Sequence, residues 1–444
     1  MFSSTHRRTA LGVTAAGLAT ALLAGCSSGP AASASGGTTA QSTSSGPVKL
    51  TYWAWAPNLD QVVALWNRSH PDIQVTVEKQ ASGDALLTKV ITAAKAGGAP
   101  DLVQAEYQAI PTLVSNNVLA DISRYDSSAS SDFAPGVWKQ VTLGTSAVYA
   151  IPQDAGPLMY FYRTDLFKKY QLTVPTTWAQ FAADAAKLHA ESPSTYLATF
   201  SSGDPGLFAG LAQQAGSSWW TSSGSTWKVD IDDAATRKVA SFWGGLVKQG
   251  VIDNQPMYTP AWSKALNDGS EISWVSAVWA PGVLSSSAPA TAGKWAMVPL
   301  PQWSAGENVT GSWGGSSTAV TDESKHQAAA AQFAQWLNTD PAAVAALVKD
   351  ASIYPAASDA QTGSALATAP AFFSNQPDFY TAAAKIAATT APAAWGPNVN
   401  VAYSAFTDDF GKAAQNRGDF LPALSSMAQT TIGDMKTQGF TVTG

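Results

Sequence analysis

Between residues 48 and 107 the hydrophobic pattern alternates between a two-residue and a 3.6-residue period, and this limits the folds open to the chain more than any other feature. Residues 48–53 (VKLTYW) read as a strand and residues 54–58 as the loop at its carboxyl end. Leu59, Val62, Val63 and Trp66 then recur at helical spacing, with Asn58 or Asp60 near the start and His70, Pro71 and Asp72 as the stop. Ile73, Val75 and Val77 alternate as a second strand; residues 84–96 form a second helix closed by Gly97 and Gly98. A third strand over 100–103 hands Gln104, Ala105, Glu106 and Tyr107 to a loop. Strand and helix in strict alternation predict a doubly wound α/β fold, in which ligands bind at the carboxyl ends of the strands. The loops 54–58 and 104–107 therefore share one rim.

At 444 residues the chain is too long for a single core and predicts two or three domains. The next informative stretch is residues 147–190. Tyr149 and Ile151 alternate as a half-buried strand that Pro152 stops, and Gln153, Asp154, Ala155, Gly156 and Pro157 make a turn or crossing. Residues 158–162 are a second strand, Thr164 or Asp165 caps a short helix through Tyr170, and Val174 with Pro175 breaks the chain. Thr177 and Gln180 form a capping box opening a helix over 178–189.

In this stretch Tyr149, Ile151, Pro152, Tyr162, Asp165, Leu166, Phe167, Pro175, Thr177 and Trp178 carry a resemblance to the extracellular solute-binding proteins of ABC importers, in the carbohydrate-binding group that includes maltose-binding protein. It continues more weakly over most of residues 48–444. It implies a two-lobed periplasmic-binding-protein-like α/β fold of type II, its lobes joined by multiple crossings. The first lobe is expected over 48–152 plus about 312–354, and the second over 153–311 plus about 355–444, with the third crossing near residues 353–357.

The N-terminus has its own logic. His6, Arg7 and Arg8 precede an apolar run over 10–24, too short to span a bilayer, that ends in Leu23, Ala24, Gly25 and Cys26. Residues 1–26 resemble a bacterial lipoprotein signal, with Cys26 as the acylated new N-terminus holding the protein to the outer face of the membrane. Residues 27–47, rich in Ser, Gly, Ala and Thr, form a flexible linker. Its r.m.s. reach is about 25 Å. Cys26 is the only cysteine, so no intrachain disulfide and no cysteine-based metal site or nucleophile is available.

Further on, residues 201–225 read as a helix flanked by Gly and Ser loops with Trp219 and Trp220 at its end, and 232–248 as a helix terminated by Gly250. Residues 254–265 lead into another helix, 272–278 and 295–300 are strands, and the Gly311 to Ser316 loop precedes a helix over 324–337. That last arrangement resembles the return of the family's chain to its first lobe.

A net charge of −6 and only 13% charged residues disfavour nucleic acid and anionic membrane surfaces as partners. The four histidines, His6, His70, His189 and His326, stand in no triad or zinc context, and the glycine pairs lack a phosphate-loop lysine or dinucleotide spacing. No metal and no cofactor is expected. The positive signal is 17 tryptophans. A neutral sugar offers C–H faces and a rim of hydroxyls, so its site needs flat rings plus groups that donate and accept. Trp53, Trp55, Trp219, Trp220, Trp279, Trp313 and Trp395 fall at strand ends or in Gly, Ser or Pro loops, whereas Trp66, Trp178, Trp243 and Trp336 fall in periodic, core-like runs. Glu106 and Asp154 can accept adjacent hydroxyls; a helix cap or a lobe-to-lobe hydrogen bond is the competing role for each, as packing is for each loop tryptophan.

The resemblance implies contacts in the loop after the first strand, near Glu106 and Tyr107, at Gln153 and Asp154, at Trp313, Gly314 and Gly315, and around Trp395. The function expected is a monomeric, lipid-anchored receptor that closes on a small carbohydrate and presents it to ABC permease subunits. A secreted glycoside hydrolase is the alternative, since acidic residues always permit a catalytic pair; an adhesive cell-wall module is a third.

Overall fold

The structure is a computed structural model that describes residues 46–125, 129–223 and 226–443. Cys26, the signal and nearly all of the linker lie outside them. Strands are β1 Val48–Ala54, β2 Ile73–Lys79, β3 Leu102–Glu106, β4 Ala150–Pro152, β5 Leu158–Arg163, β6 Trp220–Ser223, β7 Thr226–Val229, β8 Ser273–Ala277, β9 Trp295–Val298, β10 Ser316–Val320 and β11 Thr441–Thr443.

The first lobe is built on a five-stranded sheet in the order β2-β1-β3-β10-β4. β1 lies parallel to both β2 and β3, joined by helices Leu59–Ser69 and Asp84–Lys95 as the alternating pattern predicts. β10 runs antiparallel between β3 and β4. This strand was not expected: its sequence, SSTAV, is small and half polar, and only pairing with segments more than 160 residues away makes it a buried central strand. The helix after it begins at Gln327 rather than at residue 324. β3 also starts later than predicted and runs through Glu106, so Gln104 and Ala105 are strand residues. One sheet face packs on Leu50, Tyr52, Val62, Trp66 and Phe333, the other on Leu86, Val90, Val103 and Ile110.

The second lobe surrounds an antiparallel sheet, β8-β5-β9, with a smaller sheet β11-β7-β6 at its edge. Its core is dominated by rings: Tyr160, Phe161, Trp178, Phe181, Trp274 and Trp295 are all fully buried. Aromatic side chains bury large areas and gain further from edge-to-face contact, and Trp178 meets Phe181 and Trp243 in that geometry. The capping box at Thr177 and Gln180 is formed and opens helix Trp178–Glu191. Asp233 caps helix Ala234–Gln249, which Gly250 ends in the left-handed region at φ 71°. The expected helix over 201–225 is shorter, Pro205–Gln214, and the chain is already in strand at Trp220.

Candidate functional site

The lobes are joined by three passages lying side by side. The first, Gln153 to Pro157, is in the middle. On one side Trp313 N donates to Gly156 O at 2.8 Å, Leu158 N to Gly311 O at 2.9 Å and Gln153 N to Ser316 O at 2.8 Å. On the other, Ala155 N donates to Tyr354 O at 3.0 Å and Ala356 N to Gln153 O at 3.1 Å. Asp154 ties the ribbon together. Its carboxylate accepts the Ser316 N–H and its carbonyl accepts the Tyr107 hydroxyl at 2.8 Å. Burial pushes its carboxyl above the usual range, against the hydrogen bonds from Ser316. Gly311 is where the second passage presses on helix Pro205–Gln214: a Cβ there would collide with the carbonyl of Gly210.

Beneath the ribbon is a buried polar hub. Thr318 Oγ1 meets Tyr52 Oη at 3.2 Å, Gln153 Nε2 at 3.3 Å and Asn338 Nδ2 at 3.0 Å. Gln153 is 1% exposed, so the ligand contact expected of it is replaced by a structural role: its Nε2 joins a network that the strand pairing of β10 creates.

From the ribbon a run of aromatic rings extends into the second lobe. Trp313 meets Trp279 edge-on at 4.8 Å, Trp279 meets Trp274 at 5.8 Å, and Trp274 meets Tyr258 at 6.3 Å. Trp279 Nε1 also donates to Trp313 O at 3.0 Å, fixing the pair. Trp279 and Trp313 are half-buried, leaving ring surface free; Tyr258 is 49% exposed. Tyr258 has φ 61°, a left-handed backbone that a bulky side chain rarely adopts and that marks strain. The indole of Trp313 lies against Gly206, where a Cβ would sit 2.8 Å from Trp313 Cδ1 and 3.7 Å from Tyr403 Oη. Glycine there lets the indole approach the helix backbone. Two residues before it, Asp204 is half-buried; burial pushes its carboxyl up to about 6, partly offset by a hydrogen bond from Ser201. Its charge acts on the Tyr258 hydroxyl.

Two hollows open along the seam. One, of about 460 Å³, lies against the first and second passages and is walled by Tyr107, Gly136, Gln140, Gln213, Ser312 and Ala391. The other, of about 300 Å³, lies against the third passage and is walled by Trp279, Ser285, Lys349, Tyr354, Phe372 and Tyr380. The strand-end loop joins the second region through Asn58 Nδ2, which donates to Asp350 O at 2.8 Å.

The residues predicted from sequence divide into groups. Trp279, Trp313, Gly314, Gly315, Asp154 and Tyr107 come together at the ribbon, although Tyr107 is only 3% exposed and Gly314 and Gly315 serve by their positive φ of 75° and 91°. Trp55 and Glu106 border a small void of about 20 Å³ instead; Glu106 accepts from Gln108 Nε2 at 2.6 Å. Trp395 is at the other end of the seam, where its Nε1 donates to Gln140 Oε1 at 3.2 Å and its ring packs against the cores of both lobes. Three tryptophans must be reassigned. Trp219 and Trp220 are 4% and 0% exposed and belong to the second lobe's core: Trp219 packs against Phe208 and donates to Thr236 Oγ1, and Trp220 opens an edge strand rather than a loop. Trp53 is held on the β1 surface by Glu78 at 2.8 Å and by the Lys89 ammonium 4.1 Å above its ring. Asp204, Gly206, Tyr258 and Tyr403 were missed; a helix start at Asp204 and Pro205 was the only available signal, and it does not distinguish a site from a cap. Among the described residues no group of three or more His, Cys, Asp or Glu is placed to hold a metal ion, and no helix is long and apolar enough to cross a membrane.

Two α/β lobes joined by three passages over a ring-lined seam define a two-lobed binding protein. Residues 52–344 match the bacterial extracellular solute-binding proteins, and the chain belongs to that family. The arabinooligosaccharide-binding protein of Halalkalibacterium halodurans is 23% identical over 310 residues, 65% of this chain and 66% of that protein. The ABC transporter associated binding protein of B. animalis subsp. lactis in complex with beta-1,6-galactobiose matches with a TM-score of 0.80 at 27% identity, over 90% of this chain and 100% of that one. A galacto-N-biose/lacto-N-biose I-binding protein from Bifidobacterium longum, in complex with lacto-N-biose, gives 0.80 at 29% identity with the same coverage.

Proposed function

We propose that this protein is the substrate-binding component of an ABC importer that captures a neutral sugar or oligosaccharide between its lobes. The observation that carries this reading is the run of rings from Tyr258 to Trp313, in which Tyr258, Trp279 and Trp313 keep exposed surface over the buried Trp274, ending on the ribbon that joins the lobes and flanked by Asp204. Indole faces take the C–H face of a sugar ring, and an ionised carboxylate accepts two of its hydroxyls. The sugars bound by the relatives above support the same class.

The ligand contacts are Trp279, Asp204, Tyr258 and Tyr403 from one lobe, Trp313 on the second passage, and the rim at Trp55, Glu106 and Gln108 from the other lobe. Residues 48–152 plus about 312–354 form one moving body, and 153–311 plus about 355–444 the other. The third passage is drawn out, since Ser358 N still donates to Asp132 O at 2.8 Å. Ligand touching both bodies favours the closed state by its differential affinity, and permease subunits read that state. Lipid on Cys26 would hold the monomer at the outer face of the cell membrane.

Titrating the protein with arabinose and galactose oligomers while following tryptophan fluorescence and melting temperature tests this. A saturable quench and a raised melting temperature are expected. No response to either series, or conversion of the oligomers to shorter products, would overturn the reading, the second in favour of a hydrolase.

A further inference from the structure

We infer that the 300 Å³ hollow against the third passage is a separate subsite that holds an additional sugar ring of a longer oligosaccharide, beyond the ring seated on Trp279 and Trp313. This rests on the sugar-binding reading above and extends it to chain length.

The hollow's position makes it a continuation of the ring-lined seam. Trp279 stands in its wall as well as in the run of rings, so a ligand leaving the first position along the indole enters it. Both lobes contribute: Lys349 and Ser352 come from the end of helix Pro341–Ala351 in the first, and Ser285, Phe372 and Tyr380 from the second. Its volume is at the low end of the roughly 300–1,000 Å³ of small-molecule pockets. Like the first position it offers rings for a C–H face, here with hydroxyls and the Lys349 ammonium at the rim.

One atom argues for an occupant. Tyr354 lines the hollow, is 3% exposed, and its hydroxyl has no hydrogen-bond partner. Buried hydroxyls are nearly always paired, because desolvation without a partner costs stability. The ring has its own support, lying 6.3 Å from Tyr380 at an interplanar angle of 19°. Its chain position is also constrained, since the Tyr354 carbonyl accepts Ala155 N in the ribbon. A phenylalanine would satisfy the packing equally; the hydroxyl at this position is explained by a sugar hydroxyl or ring oxygen meeting it when the hollow is filled. Tyr354 belongs to the second lobe's core whereas its neighbour Ile353 belongs to the first's, so a ring bound here touches the point where the third passage changes lobe.

The test is calorimetric titration of the full chain with arabinose and galactose series of one to four residues. Ser285→Trp fills the hollow from an exposed helix position, and Tyr354→Phe removes only the hydroxyl. With Ser285→Trp, affinity for the longest bound oligomer should fall about tenfold or more, while the shortest bound oligomer changes less than about twofold. Tyr354→Phe should weaken only the longer oligomers, by about three- to tenfold, at an unchanged melting temperature without ligand. Equal losses at every length, or none at any length, would overturn the subsite while leaving sugar binding intact. Failure of the unmodified protein to bind any member of either series would instead remove the reading on which the subsite rests.

Discussion

The two hollows along the seam differ in size and chemistry in opposite senses. The larger, about 460 Å³, is walled mainly by alanine, glycine and amide side chains, and its one ring, Tyr107, is itself buried and committed to Asp154. The smaller, about 300 Å³, has Trp279, Tyr354, Phe372 and Tyr380 in its wall. Volume alone would favour the larger, whereas a neutral sugar gains more stacking and desolvation from ring faces than from an amide-lined space. The larger hollow is better understood as room between the lobes, bridged by Trp395 and Gln140. The difference teaches that what surrounds a space, and which lobe each wall moves with, decides its use.

Five substitutions break or sharpen this contrast. The largest effect is expected on stability. Trp220 is wholly buried and supports Trp395 at 6.4 Å, so Trp220→Ala should cost about 3–5 kcal/mol in chemical denaturation. Sugar affinity of the remaining folded protein should change little if Trp220 is core rather than contact.

Trp279→Ala should weaken sugar binding by about 2–3 kcal/mol in calorimetry, as loss of a central aromatic anchor does. A substitution that fills the larger hollow, Gln361→Trp, should leave binding within about threefold. The reverse ranking would exchange the roles of the two hollows.

Asp204 supplies a pH signature. Its carboxyl is pushed up to about 6 by burial, so it takes up a proton as pH falls through that value and loses an acceptor for ligand hydroxyls. Affinity should therefore be highest above pH 6 and decline below it, and Asp204→Asn should bind about tenfold more weakly at pH 7 with the dependence near pH 6 removed. A wild-type profile flat between pH 5 and 7 would place Asp204 outside the site.

The smallest effect belongs to the bridge. Gln140→Leu removes the acceptor of Trp395 Nε1 at the seam and should change sugar affinity by about 1 kcal/mol or less, through the balance of open and closed forms. Small-angle scattering without ligand would register the accompanying shift in overall dimensions.

Much of the fold was legible in local pattern. The strands and helices from Val48 to Lys95, the capping box at Thr177 and the left-handed stop at Gly250 all follow from short-range rules that depend on neighbours in sequence. Legibility failed where partners are distant. β10 looked like a loop because its burial is conferred by β3 and β4, and Trp220 looked like a loop tryptophan because the strand it opens belongs to a sheet that includes β11 at the far end of the chain. The candidate site was legible at Trp279 and Trp313, whose position beside glycine- and proline-rich breaks signals a strand end; Asp204, Tyr258 and Tyr354 carried no such mark.

By itself, then, the sequence determined the alternating α/β lobe, the ring-rich character of the protein and the setting of Trp279 and Trp313 beside glycine- and proline-rich breaks, since period, capping and turn chemistry act over a few residues. Only the tertiary structure decided which tryptophans are buried, that Gln153 and Asp154 hold the passages together, and that an acid, a strained tyrosine and an unpaired tyrosine hydroxyl border the same seam. Those outcomes depend on segments hundreds of residues apart meeting at a few ångströms, and burial and hydrogen-bond satisfaction are properties of that meeting rather than of either segment.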